Sequence, residues 1–148
     1  MRIVMEEDGT LAETQVLIRC RKATPQVMRL VAALRAFEQK LTGERKGQTY
    51  LLEAAQVLYI ESVDKRTFLY TRDGVFETPL RLYELEERLA SWDFVRAAKS
   101  MIVNFSRVQS ICPDLGGRLR LTMETGEVVG VSRQYAPAIR AKLGLGKS

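Results

Sequence analysis

The stretch Phe94-Val-Arg-Ala-Ala-Lys-Ser-Met-Ile-Val-Asn104 decides how this chain is read. Its first half has the spacing of an amphipathic helix. Met101-Ile-Val103 is an apolar run that periodicity alone assigns equally to a strand or a helix. Arg96, Lys99, Ser100 and Asn104 stand at intervals among residues that belong inside. Polar groups spaced along an apolar frame, with no catalytic partner beside them, suggest a surface that reads DNA.

On the N-terminal side, Thr78-Pro79 is expected to open a helix, with Leu82, Leu85 and Leu89 on its buried face and Trp92 continuing the stripe. Before it come short strands: Tyr50–Leu52, Val57–Glu61 with Leu58 and Ile60 on one side, Phe68–Thr71 and Val75–Glu77. Asp64-Lys-Arg66 reads as a polar turn. Asp73-Gly74 between apolar runs is a hairpin signal, because both residues tolerate positive φ. On the C-terminal side, Val108–Cys112 is a strand ended by Pro113-Asp114, and Gly116-Gly117 is a turn. Arg118–Met123 alternates, with Leu119, Leu121 and Met123 inward, and forms a hairpin with Val128–Val131. Pro137 places the start of a final helix near Ala136, which leaves Ser132-Arg133-Gln134 at a strand–helix junction.

The front of the chain differs. Residues 2–5 and 16–21 read as strands. Thr24-Pro25 opens a helix with the stripe Val27, Leu30, Val31, Leu34 and Phe37, stopping at Gly43. The expected fold class is α+β, mostly β: a strand-strand-helix extension over residues 1–46, then a β module with short helices over 47–148. No pair of adjacent helices suits a helix-turn-helix.

Composition narrows the function. With 46% hydrophobic and 28% charged residues, the 148-residue chain is ordinary globular material. The net charge is +5, but residues 95–148 carry nine Lys and Arg against three Asp and Glu. A surplus confined to one part of the chain favours a polyanion-facing surface, although a merely solvated basic face accounts for it equally well. There is no His, which excludes His-ligated zinc, Ser-His-Asp and Cys-His catalysis. Cys20 and Cys112 lie far apart in apolar runs and read as buried free thiols of a cytoplasmic protein. No Gly-rich phosphate loop and no singled-out carboxylate pair occurs. No enzyme activity, metal, cofactor or small-molecule substrate is expected.

The candidate site residues are Lys65, Arg66, Lys99, Ser100, Asn104, Arg133 and Gln134. Arg suits guanine and Asn or Gln suits adenine by paired hydrogen bonds; Lys, Ser and backbone N–H groups suit phosphate. Each has a simpler reading alone. Asn104 caps the turn at Phe105-Ser106, Lys65-Arg66 is a solvated turn, Ser132-Arg133 starts a helix, and Arg118 and Arg120 are the wet face of a sheet.

Four elements occur in one order: Tyr59-Ile-Glu-Ser62, Leu85-Glu-Glu-Arg-Leu89, Phe94-x-Arg96-x-x-Lys99-Ser100-x-Ile102-Val-Asn104 and Val131-Ser-Arg-x-Tyr135. Over roughly residues 49–145 the chain resembles the LytTR family of bacterial DNA-binding domains. The resemblance implies elongated antiparallel β-sheets with short helices, and loops that enter successive major grooves and bend the duplex. It implies DNA contacts at Asn104 and Arg133, backbone contacts at Lys99 and Ser100, and a DNA-facing loop at Lys65 and Arg66. Ala98 stands where family members often have His, and the first reading loop also lacks His, so base preference should differ there.

The roughly 46 residues ahead of this module hold no alternating strand–helix series with strand-end Asp residues, so a phosphorelay receiver is not expected. The expectation is a stand-alone transcriptional regulator that binds double-stranded DNA as a homodimer or in tandem, controlled by a membrane or cytoplasmic protein partner, by abundance or by its own oligomerisation. Two rivals stand beside it. One is a protein-interaction module that regulates a partner without binding DNA. The other is a small RNA binder, which needs exposed aromatics such as Tyr135 and Tyr70.

Overall fold

Two-residue turns set the register of the main sheet. Asp64 and Lys65, at φ 52° and 66°, connect Val63 to Arg66, which face each other across the ladder. Lys46 and Gly47, at φ 50° and 77°, do the same between Arg45 and Gln48. Two successive positive-φ residues give the turn whose twist matches paired strands. The third turn is Arg72-Asp73, with Thr71 opposite Gly74. The Thr71 hydroxyl accepts from the Asp73 N–H and donates to the Gly74 carbonyl. The Asp-Gly signal is therefore displaced by one residue, because Gly74 already belongs to the following strand.

The computed structural model describes residues 1–38 and 40–144. The chain divides into two units, Met1–Arg35 and Ala36–Ser148. In the first, the strands expected at 2–5 and 16–21 are absent, and Ile3, Val4, Met5, Val16 and Leu17 are exposed. Apolar, β-branched sequence does not make a strand unless a partner takes up its backbone N–H and C=O groups. The helix start is as expected. α1 (Pro25–Glu38) is capped by Thr24, whose carbonyl accepts from the Met28 N–H at 3.0 Å and whose hydroxyl accepts from the Val27 N–H at 3.3 Å. Val27, Leu30, Val31 and Leu34 are half-buried; the side chain of Phe37 lies outside those described.

In the second unit, β1 (Lys40–Arg45), β2 (Gln48–Glu53), β3 (Val57–Val63), β4 (Arg66–Thr71), β5 (Gly74–Thr78), β6 (Phe94–Ala98) and β7 (Met101–Asn104) form an antiparallel sheet in the order β2-β1-β5-β4-β3-β7-β6. Gly43, expected to stop the helix, instead sits buried inside β1. A Cβ there would approach the Phe76 Cβ to 2.7 Å, so the close packing of β1 on β5 needs glycine. β1 thus lies ahead of the expected 46/47 boundary and pairs with both β2 and β5.

α2 (Leu82–Arg88) begins later than Thr78-Pro79 suggests. Thr78 ends β5, and Glu84 Oε1 accepts from the Arg81 N–H at 2.9 Å to close the helix start. Leu82, Leu85 and Leu89 are buried, but Trp92 is 39% exposed. Asp93, at φ 65°, turns the chain out of the helical region, so Phe94–Ala98 continues as strand β6, not as a helix.

β8 (Val108–Pro113), β9 (Leu119–Met123) and β10 (Val128–Val131) form a second antiparallel sheet, and α3 (Ala136–Lys142) follows. Two apolar cores lie on the two faces of the main sheet. One joins Leu41, Val57, Ile60, Leu69, Phe76 and Ile102 to the α2 leucines. The other joins Leu58, Ala97 and Val103 to Leu119, Leu121, Met123, Val129 and Val131 and to Ala136 and Ile139 of α3. β3 serves both cores through a bulge. Val57 pairs with Thr71 and Tyr59 with Tyr70, so Leu58 is an extra residue and faces away from Ile60. This overturns the expectation that Leu58 and Ile60 share a side.

Both cysteines are free and exposed, contrary to the expected burial. Cys112 lies on the outward face of β8, where Arg120 Nη2 approaches its Sγ at 3.5 Å.

Candidate nucleic-acid interface

The antiparallel ladder brings three connections to one end of the β module. β3 runs toward this end and β7 runs away from it, with Glu61 opposite Met101. Just beyond that pair, the Ser62 N–H donates to the Ser100 carbonyl at 2.9 Å. The Asp64-Lys65 turn and the Lys99-Ser100 turn are therefore neighbours. On the other side, the Ser132 N–H donates to the Ala97 carbonyl at 2.9 Å, which fixes the start of the Ser132-Arg133-Gln134 junction beside the β6–β7 hairpin. Backbone hydrogen bonds, not flexible side chains, hold the three segments together.

The exposed side chains at this end include Lys65, Arg66, Lys99, Ser100, Arg133 and Gln134, with Asp64 as the acidic residue beside Lys65. Lys65 is at a turn tip. Arg66 is not free: its Nε and Nη2 donate to both oxygens of Glu77, at 3.0 and 2.6 Å. That pair holds the Glu77 carboxyl below its ordinary range and the Arg66 guanidinium above its own. Lys99 and Arg133 have no ion-pair partner among the described residues.

Asn104 is different. It is 1% exposed, Nδ2 donates to the Val57 carbonyl at 2.9 Å, and Oδ1 accepts from the Ser106 N–H at 3.2 Å and the Ser106 hydroxyl at 2.7 Å. The amide caps the short turn Phe105–Arg107 and ties β7 to β3. The DNA contact expected for Asn104 does not fit this geometry. The simpler reading, a turn cap, is the one found.

Sequence reading did not give Arg96 its place. Its side chain is only 16% exposed; Nη1 donates to the Lys99 carbonyl at 2.8 Å and Nη2 to Glu86 Oε1 at 3.0 Å. Arg96 thus braces the Lys99-Ser100 turn against α2. The signal was present, since an Arg among core residues calls for partners, but the partner on α2 is not visible in one dimension.

Neither Tyr70 nor Tyr135, the aromatics that an RNA-binding reading would need, is fully exposed. Tyr70 stacks on Tyr59 at 4.4 Å between ring centroids and donates to Glu61, and Tyr135 packs against the second core. Burial and the Glu127 carboxylate together push the Tyr59 hydroxyl well above its ordinary range, so it stays a neutral donor.

Residues 47–144 match the family described as LytTr DNA-binding domain. This chain belongs to the LytTR family. A solved LytTr DNA-binding domain, from a Bacillus cereus protein described as a methyl-accepting/DNA response regulator, superimposes with a TM-score of 0.68. It is 30% identical and covers 72% of this chain and 97% of its own. Relatives of similar length include an uncharacterized HTH-type transcriptional regulator of Staphylococcus aureus strain bovine RF122 / ET3-1. It is 25% identical over 98% of this chain and 99% of its own. A counterpart from strain NCTC 8325 / PS 47 is 24% identical over the same shares. The helix-turn-helix in those names does not fit the described residues of this LytTR chain, where strands separate each α-helix from the next. Among the described residues, no helix is long and apolar enough to cross a membrane.

Proposed function

We propose that this LytTR protein is a sequence-specific transcriptional regulator that reads duplex DNA with the three connections at one end of its β module. The observation that carries this is their convergence through the Ser62–Ser100 and Ala97–Ser132 backbone hydrogen bonds. Arg133 and Gln134 are assigned to base edges, Lys99 and Ser100 to phosphates. Lys65 stands at the third contact, with Arg66 available once it leaves Glu77. Asn104 supports the frame from inside. No catalytic role is proposed, and the protein acts in the cytoplasm, on chromosomal DNA.

The regulator binds as a homodimer or as tandem copies, because one module spans few base pairs. Residues 1–35, the unit ahead of the main sheet, are the candidate for self-association or for docking a controlling protein. Selection of bound sites from random duplex DNA, followed by salt titration on the winner, tests the reading. Enrichment of one motif, with affinity falling steeply as salt rises, is the expected result. Salt-independent binding to protein but not to duplex DNA would instead favour an interaction module. Sedimentation with and without DNA tests the assembly; a monomer in both sinks the dimer.

A further inference from the structure

The Gly116-Gly117 turn touches Arg133, and no sequence reading gave that turn a role. A Cβ on Gly117 would lie 3.3 Å from Arg133 Cγ and 3.5 Å from Cδ, so the bare backbone forms a platform under the Arg133 side chain. Gly117 sits at φ 80°, and its carbonyl accepts from Arg140 Nη2 at 3.4 Å, which links the platform to α3. The turn is pre-set at its other end. Asp114 Oδ1 accepts from the Leu115 N–H at 2.8 Å, and the Asp114 N–H donates to the Arg118 carbonyl at 2.9 Å.

Between this turn and the strand–helix junction lies a concave surface of about 410 Å³, lined by Gly116, Arg118, Ser132, Arg133 and Gln134. Two guanidinium-bearing residues line it and no carboxylate does. Asp114, the acidic residue next to the turn, is engaged on Leu115. Arg66, Arg72, Arg96 and Arg107 each reach a carboxylate of this chain; among the described residues Arg118 and Arg133 do not. Space beside the Gly116 Cα is open. A groove with two uncompensated cations, a hydroxyl and an amide on its walls, and backbone on its floor, fits a phosphodiester.

We infer that the Asp114–Arg118 turn is a fourth DNA-contacting element, in which Arg118 holds a backbone phosphate across the groove from Arg133 and so fixes the approach of Arg133 to its base. This rests on the DNA-reading function proposed above.

The test uses the full chain and the motif recovered by selection. Binding is measured by fluorescence anisotropy across a salt series for wild type, Arg118→Ala and Arg133→Ala. Arg118→Ala should weaken all duplexes by a similar factor and reduce the slope of log affinity against log salt by about 0.9, one phosphate's share. Arg133→Ala should instead flatten the preference for the selected motif. A neutral methylphosphonate is then scanned along the site. One position should weaken wild type several-fold and leave Arg118→Ala unaffected. Wild-type slope and affinity in Arg118→Ala, with Arg133→Ala impaired, would overturn the inference and leave the proposed function standing. Failure of wild type to bind any duplex would overturn the function itself. Competition by inorganic phosphate at millimolar concentration, with no methylphosphonate-sensitive position, would mark the groove as a free-anion site and likewise overturn the inference.

Discussion

Arg96 Nη1 donates to the Lys99 carbonyl at 2.8 Å, from a side chain that is 16% exposed. The Lys99-Ser100 turn is thus held from below by a charged residue of its own hairpin, with Glu86 of α2 as the second anchor. Replacing Arg96 by Met keeps much of the volume but removes both contacts and strands the Glu86 carboxylate at the surface. The expected loss is about 1–3 kcal/mol of stability, the range for a charged hydrogen bond near the interior. DNA affinity should fall further than unfolding explains, since the turn loses its set position. Urea unfolding and binding at a temperature where the variant stays folded separate the two effects.

Asn104→Ala should act on stability alone. It removes the Asn104 amide, itself 1% exposed, from the Val57 carbonyl and the Ser106 N–H. Each orphaned group costs roughly 1–3 kcal/mol, so the sum is about 2–4 kcal/mol after relaxation. Binding per folded molecule should stay at the wild-type level. A selective loss of cognate binding with unchanged unfolding would restore a direct DNA role to Asn104.

Arg133→Ala should behave in the opposite way. Exposed and without a carboxylate partner, Arg133 contributes little to the fold, and its loss should leave the urea midpoint in place. Cognate affinity should drop by about 1–3 kcal/mol, the value of one good base contact, while non-specific affinity falls less. Lys99→Ala should weaken cognate and random duplexes alike.

The Arg66–Glu77 pair supplies a pH and charge prediction. The hydrogen bond from Arg66 lowers the folded Glu77 pKa below its ordinary 4.5. A lowered folded pKa stabilises the fold above about pH 4.5, and that contribution is lost as pH falls through the folded value. The pair lies at the surface, with 62% of the Arg66 and 37% of the Glu77 side chain exposed, so solvent screening keeps the effect on stability small. Glu77→Gln should abolish that acid-limb contribution and release Arg66 toward DNA. Tighter non-specific binding and a steeper salt slope are expected, measured against Glu77→Gln combined with Arg66→Ala, which should show neither.

Much of this fold was legible where sequence chemistry is local. The alternation of Leu119, Leu121 and Met123, the helix start at Ala136 and the presence of a polar turn at Asp64-Lys65 depend on neighbours only, although Arg66, read as part of that turn, belongs to the following strand. Errors arose where a distant group decided. Phe94–Ala98 has a helical spacing, but β7 supplies its hydrogen bonds and Asp93 turns the chain out of the helix. Gly43 resembled a helix stop because Phe76, its actual neighbour, is far along the chain. Residues 2–5 and 16–21 have strand composition and no partner strand. At the site, exposure separated Arg133 from Asn104: both matched the family pattern, but only coordinates reveal that one faces outward and the other is walled in. Arg118 was discounted as the wet face of a sheet, because the groove it shares with Arg133 is formed by segments from two different connections.

The extra residue at Leu58 gives β3 a phase shift. Before it, the strand's pleat faces α2 in one sense; after it, the sense is reversed, and every later residue up to the Asp64-Lys65 tip inherits the change. The strand works as a half-turn screw joint between the scaffold and the Asp64-Lys65 turn. Deleting one residue there would leave composition almost untouched, yet it would exchange the inward and outward residues of the rest of the strand and aim Lys65 at the wrong side of the module.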